Sequence, residues 1–298
     1  RVRSSAASDV YKRQVYSNTK GINSGMPQST TERGFVEING AQLYYEVTGA
    51  GHPLVLVHAG VADSRMWDEQ FAAFAQQYRV VRYDWRGYGQ SAVPSVPFAL
   101  HEELAELLKH LGITRTHVVG ISFGGNISLD FTLAHPEMVE KLVLVAAGAS
   151  GGQPSPEQIA YGEAEEAALD AGDLDGATEV TLRTWVDGPQ RQPGEVDPVV
   201  RERVREMQRQ AYDIPFPDGA EGLELEPPAL GRLSEIKAPT LVIIGDGDLQ
   251  PKVEQSRWLA GEITGAQLVV FEGVAHMVNM EKPAEFNRVV LEWLDKLI

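Results

Sequence analysis

The segment Gly120-Ile121-Ser122-Phe123-Gly124 follows the apolar run His117-Val118-Val119 and offers one serine for nucleophilic chemistry. In a G-x-S-x-G turn a strand passes sharply into a helix and exposes the serine hydroxyl. The turn drives the serine towards positive φ, which is costly for any residue with a Cβ. It also leaves no room for side chains two positions away, a need that Gly120 and Gly124 meet. A serine hydroxyl is a weak nucleophile at neutral pH and requires a general base. Histidine has the suitable pKa, and a carboxylate must hold its ring in one tautomer. In open α/β sheets such groups collect in loops at the C-terminal ends of the strands.

That rule selects among the seven histidines. His276 ends the loop Glu272-Gly273-Val274-Ala275-His276, after the last strand-like run and just before the final helical pattern. His52, His101, His110 and His135 read as loop or helix-surface residues, and His117 opens a strand. The carboxylate is expected after the run 241–244, where Gly245-Asp246-Gly247-Asp248 offers two candidates. Asp248 lies one turn further out, where a loop can bend towards the histidine, and is preferred. Asp246, close to the strand end, suits holding the turn. The order Ser…Asp…His is the one expected for a serine on such a strand-to-helix turn.

Acyl transfer also needs donors for a tetrahedral oxyanion. One is the backbone N–H of Phe123, at the start of the helix that follows the serine. The second is expected from His58-Ala59-Gly60-Val61, after the run 54–57. Gly60 permits close backbone approach, so its N–H is preferred over that of Val61. His58 reads as an organiser of that turn.

The elements that must position these groups are legible as alternating patterns. Residues 35–38, the pair Asn39-Gly40 and residues 41–47 predict a hairpin with a type I′ turn. Short continuous apolar runs at 54–57, 80–83, 118–119, 142–145, 241–244 and 268–271 suit strands buried on both faces, hence a parallel sheet. Helical spacing joins Trp67, Phe71, Phe74 and Tyr78, and again Leu104, Leu107, Leu108 and Leu111. A last helix opens at Pro283 and carries Phe286, Val289, Val290, Trp293, Leu294 and Leu297 on one face. The fold class is α/β, with a doubly wound, mostly parallel sheet and an N-terminal antiparallel hairpin. Residues 34–150 and 231–298 form the core. The alternation stops at 151–230, where no strand signal occurs and helices are expected at 156–171, 175–185 and 197–212. This insertion reads as a helical cap over the C-terminal edge of the sheet.

The 298 residues carry a formal net charge of −16. Residues 151–236 hold 19 acidic against 7 basic side chains, which concentrates the charge in the insertion. A surface of this sign repels phosphate backbones and argues against nucleic acid as a partner. No apolar stretch approaches the roughly 20 residues of a membrane span, and cysteine is absent, which excludes disulfides and thiolate sites. Ser4 to Gln14, SSAASDVYKRQ, resembles an in-frame translation of a transposon-end sequencing adapter of the kind met in metagenomic genes. Residues 1–30 are therefore expected to be a disordered leader, with Met26 as the natural start. No secretory apolar core follows the basic residues, so the expected location is cytoplasmic.

His58-Ala59-Gly60, the segment Tyr83-Asp84-Trp85-Arg86-Gly87-Tyr88-Gly89-Gln90-Ser91, residues 120–125, 245–248 and 273–276 occur in this order. Together they resemble the α/β-hydrolase superfamily, in its cap-bearing branch of esterases, lactonases and carbon–carbon bond hydrolases. The resemblance covers about residues 34–298. It implies Ser122, Asp248 and His276 as a catalytic triad, with Gly60 and Phe123 as oxyanion donors and no cofactor or metal. Ala59 departs from the glycine common in the family at that position. The segment 84–91 resembles a structural turn of the family and is assigned no chemistry. Family members resembling haloalkane dehalogenases and epoxide hydrolases carry aspartate where Ser122 stands, which argues against both reactions.

The expected activity is a cofactor-free serine hydrolase acting on a small carboxylic ester or lactone. Trp185, Met207 and Val61, with Tyr161, Tyr212 and Phe216, are candidates to line the acyl pocket; residues at such spacing more often only pack a helical layer onto a core. An enol-lactonase acting on a dicarboxylate would need Arg183 or another arginine to face inward through the acidic cap. A carbon–carbon bond hydrolase, a perhydrolase and a low-turnover ligand receptor on the same fold are the competing expectations.

Overall fold

A computed structural model describes residues 31–296. The expected leader, Met26 and Leu297 lie outside these residues. The chain alternates strands and helices around one eight-stranded sheet: β1 (Glu32–Ile38), β2 (Ala41–Thr48), β3 (His52–Val57), β4 (Tyr78–Tyr83), β5 (Thr116–Ile121), β6 (Val139–Val145), β7 (Thr240–Gly245) and β8 (Gln267–Phe271). Their spatial order is β1-β2-β4-β3-β5-β6-β7-β8. The pairs β1–β2 and β2–β4 are antiparallel, and every other pair is parallel. Asn39 and Gly40 both take positive φ, 47° and 75°, which closes β1 and β2 into a type I′ hairpin.

The apolar runs are continuous because both faces of the sheet are covered. Along β3, Val55 and Val57 enter one core with α2 (Leu100–His110), α3 (Phe123–Ala134) and α7 (Gln250–Glu262). Leu54 and Leu56 enter the other, with α1 (Asp68–Phe74) and α9 (Pro283–Leu294). The same split recurs on β6, where Leu142 and Leu144 face the first core and Val143 and Val145 the second. Each fully buried Val or Leu of this kind stabilises the fold by about 1.5–3 kcal/mol.

Two local expectations are corrected. Trp67, Phe71 and Phe74 lie on a 3₁₀ turn (Ser64–Trp67) and α1, but Tyr78 begins β4. Its ring packs into the same core as Phe74, so a four-residue spacing is kept although the chain has changed conformation. His52 is the first residue of β3 rather than a loop residue, and His101 is buried on α2.

Between β6 and β7 the chain forms α4 (Pro156–Asp170), α5 (Leu174–Thr181) and α6 (Pro198–Tyr212). The helix expected at 175–185 is interrupted: α5 passes into a π-helical stretch, Leu182–Asp187, which rotates Trp185 out of the α-helical register. One short pairing escapes the sequence pattern, a parallel bridge between Phe98 and Gly222 with hydrogen bonds on both sides of Phe98. No helix among the described residues is long and apolar enough to cross a membrane.

Candidate active site

Ser122 occupies the junction of β5 and α3 with φ 56° and ψ −120°. Such a backbone costs on the order of 1–3 kcal/mol and persists only where its surroundings dictate it. The surroundings do so here. The Ser122 N–H donates to the Val145 carbonyl of β6 at 2.8 Å, and its own carbonyl accepts from the N–H groups of Gly125 and Asn126. A Cβ on Gly124 would collide with the carbonyl oxygens of Val57 and His58, and one on Gly120 with Gly124 and Ser128. The two glycines therefore let α3 start directly against the end of β3.

His276 stands in the loop between β8 and α8 (Val278–Glu281), and Asp248 in the loop after β7. His276 Nδ1 lies 2.6 Å from Asp248 Oδ2, with both side chains almost fully buried. The other carboxylate oxygen of Asp248 accepts the Leu249 N–H at 2.7 Å. Asp246 does different work: its Oδ1 accepts the Gly273 N–H at 2.6 Å and ties the two loops together. Gly247 adds a second tie through its N–H to the Val274 carbonyl at 2.9 Å. The helical segment reinforces the same loop. Arg191 pairs with Glu281, and Glu281 Oε1 also accepts the Ala275 N–H, one residue before His276. Buried Lys252 completes the electrostatics: desolvation pulls its pKa down, and the charge of Asp248 opposes that shift.

His276 Nε2 is buried and has no hydrogen-bond partner among the described residues. The serine–histidine hydrogen bond is thus not made in this structure. Trp185 connects the two groups, because its ring lies 4.7 Å from that of His276 and it shares a cavity wall with Ser122.

That cavity holds about 500 Å³. Its floor includes Ser122, Phe123, Gly60 and Val61, and its walls are largely aromatic, with Trp85, Tyr88, Phe98, Tyr161, Trp185 and Phe216. Gly60 and Phe123 are neighbours: a Cβ on Gly60 would sit 3.4 Å from that of Phe123. Neither backbone N–H has a partner among the described residues. The Gly60 carbonyl is turned away, accepting from the Tyr88 hydroxyl at 2.7 Å. His58 organises the turn. Burial lowers its pKa, and the neutral ring donates from Nδ1 to the Ala59 carbonyl and accepts the Trp85 N–H at Nε2.

Met207 does not line the cavity. It is buried in the core beneath α6, where its sulfur faces the Asp63 N–H. Tyr212 is likewise turned aside, donating to Glu165. Arg183 does not face inward either, because its guanidinium is spent on the buried Asp187. The arginine that reaches the cavity wall is Arg86, from the turn after β4, and it is paired with buried Glu103 on α2. Trp85, Tyr88 and Phe98 are wall residues without any helical or strand periodicity to reveal them; the bend of the 84–91 segment brings Trp85 and Tyr88 to the serine, and the bridge to Gly222 holds Phe98.

A profile of the α/β-hydrolase fold family matches residues 52–283. The chain belongs to this family. It is an α/β-fold hydrolase, and its relatives cleave bonds of several kinds. A 2-hydroxy-6-oxononadienedioate/2-hydroxy-6-oxononatrienedioate hydrolase of Burkholderia vietnamiensis is 30% identical over 277 residues, covering 85% of this chain and 91% of that protein. A proline iminopeptidase of Lactobacillus helveticus is 28% identical over 292 residues, covering 86% and 95%. Among solved structures, the enol-lactonase of Burkholderia xenovorans LB400 superposes with a TM-score of 0.71 at 26% identity, covering 88% of this chain and all of that one (100%).

Proposed function

We propose that this α/β hydrolase cleaves a small, neutral carboxylic ester or lactone through an acyl-enzyme on Ser122. The observation that carries the reading is the convergence of a strained, cavity-facing Ser122 with a buried His276–Asp248 pair behind the Trp185 wall. His276 Nε2 takes the proton as Ser122 Oγ bonds to the carbonyl carbon. The Gly60 and Phe123 N–H groups hold the resulting oxyanion. The same proton passes to the leaving alkoxide as the carbon–oxygen bond breaks. Water, deprotonated by His276, then releases the acid and returns the proton to Ser122. Asp248 keeps the Nδ1 proton in place and stabilises the imidazolium. Hydrogen bonds of this kind often tighten only around bound substrate, consistent with the unpartnered Nε2. A fluorophosphonate is expected to label the peptide containing Ser122 at one equivalent per chain; labelling elsewhere, or none, would sink the proposal.

The cavity wall selects the substrate. Its single formal cation, Arg86, is neutralised by Glu103, and the remaining wall is apolar or aromatic. A carboxylate on the acyl chain would meet only the unpartnered Nη1 of Arg86, a guanidinium whose charge Glu103 already balances, so its desolvation would be poorly repaid, at a cost of several kcal/mol. The p-nitrophenyl butyrate ester is therefore expected to exceed the p-nitrophenyl hemisuccinate in kcat/KM by at least about tenfold. Equal values in steady-state kinetics would instead favour the dicarboxylate substrates of an enol-lactonase. The carbon–carbon bond hydrolase remains the second reading, favoured by the 30% identical relative named as a hydrolase of a 2-hydroxy-6-oxo dienedioate. Turnover of a vinylogous diketone without turnover of simple esters would distinguish it.

A further inference from the structure

We propose that His52, His117 and Glu140 form a site for one divalent transition-metal ion, zinc by its donor set, at the end of the sheet opposite Ser122. The three residues sit at the N-terminal ends of β3, β5 and β6, which are consecutive in the sheet. Register brings them together. Thr116 pairs with Val139 and His117 with Lys141, so Glu140 is left as the extra residue of a β-bulge. A bulge re-aims the side chain it carries. Here one donor atom from each of the three residues lies within 4.8 Å of the others. His52 Nε2 is 3.2 Å from Glu140 Oε2, and the two imidazole rings are 4.4 Å apart at 46°.

The hydrogen bonding points to a missing cation rather than a finished network. His117 is 5% exposed, and its Nδ1 is buried without a partner. His52 Nε2, despite the nearby carboxylate, also makes no hydrogen bond of acceptable geometry. A buried nitrogen left unpaired forfeits its hydration without compensation, and two such nitrogens beside a carboxylate are relieved together by one metal ion. Two imidazoles and one carboxylate bind tetrahedral zinc at about 2.0–2.2 Å and leave a fourth position for water. Donors around such an ion stand about 3.4 Å apart, so the cluster needs only modest rotation of half-buried His52 and Glu140. Magnesium and calcium prefer all-oxygen sets. Lys141 is turned away, its Nζ donating to the carbonyls of Leu294 and Lys296, and exposed Arg115 makes only a long ion pair, 3.9 Å, with Glu140 Oε2, which a bound metal would displace. No metal is expected from the sequence, because the three donors are scattered and follow no ligand spacing.

The site would clamp the starts of three central strands, so its effect falls on stability. The full chain, stripped with chelator and desalted, is titrated with zinc sulfate, with bound metal read by elemental analysis and Tm by circular dichroism. One zinc per chain and a Tm that rises with zinc, but not with magnesium at the same concentration, are expected. His52→Ala and Glu140→Gln, both only half-buried, are expected to weaken zinc binding at least about tenfold while ester turnover is retained. Failure to take up stoichiometric zinc, or unchanged affinity in both variants, would overturn the proposal.

Discussion

Ser122→Ala is expected to lower kcat on p-nitrophenyl butyrate by about 10⁴–10⁶-fold, with a Tm close to that of the wild type. The size follows from what the substitution removes. Without Oγ no acyl-enzyme forms, and only the oxyanion donors and binding remain to assist direct attack by water. The fold should not notice the change. Alanine keeps the Cβ, so the cost of φ 56° is the same in both proteins. Ser122 also anchors the turn through its backbone N–H and carbonyl, which alanine keeps. Kinetics with both proteins, each checked by circular dichroism, measure the effect. A variant retaining more than about one per cent of wild-type kcat would remove Ser122 as the nucleophile, because no loss that small accompanies loss of a covalent step.

Asp248→Asn is expected to give the second large effect, a fall of about 10⁴-fold in kcat. The carboxylate accepts the Nδ1 proton of His276 at 2.6 Å and is sealed from water. An asparagine in the same place can present its NH₂ to Nδ1, which moves the ring proton to Nε2 and leaves no base facing the serine. Even in the correct tautomer, the amide offers no charge to stabilise the imidazolium. Asp246→Asn supplies the internal contrast. Among the described residues its carboxylate accepts the Gly273 N–H alone, so the variant should keep kcat within about threefold while losing about 1 kcal/mol of stability. Parallel pH-rate profiles and denaturant titrations separate the two. Equal losses of kcat in both variants would mean that the loop as a whole, and not the Asp248 carboxylate, is what His276 requires.

The contrast between these aspartates shows where sequence reasoning meets its limit. Both follow β7 within four residues, and both have the chemistry to orient an imidazole. What separates them is the path of the loop. Gly245 lies so close to the 274–275 backbone that a Cβ would collide with two carbonyl oxygens. This contact places Asp246 over Gly273 and carries Asp248 on towards His276. The cavity wall is a similar case. Met207 and Tyr161 both sit on apolar positions of their helices, yet Tyr161 lines the cavity and Met207 packs under α6. Helical periodicity names a face and says nothing of which neighbour that face meets. Trp185 owes its place beside His276 to a π-helical stretch, which no periodic pattern announces.

By itself, the sequence determined the alternation of buried strands and helices, the Asn39-Gly40 hairpin and the strand-to-helix turn at Ser122. Each of these is settled within a few residues by Cβ sterics, backbone dihedrals and the period of apolar side chains. Tertiary structure brought Asp248, the carboxylate preferred from the sequence, against His276, and it alone decided that aromatic residues from five separate segments wall one cavity and that His52, His117 and Glu140 converge. Those meetings depend on strand register, on a one-residue bulge in β6 and on loop paths between distant elements. Contacts of that kind are fixed only when the sheet has closed and its two cores have packed.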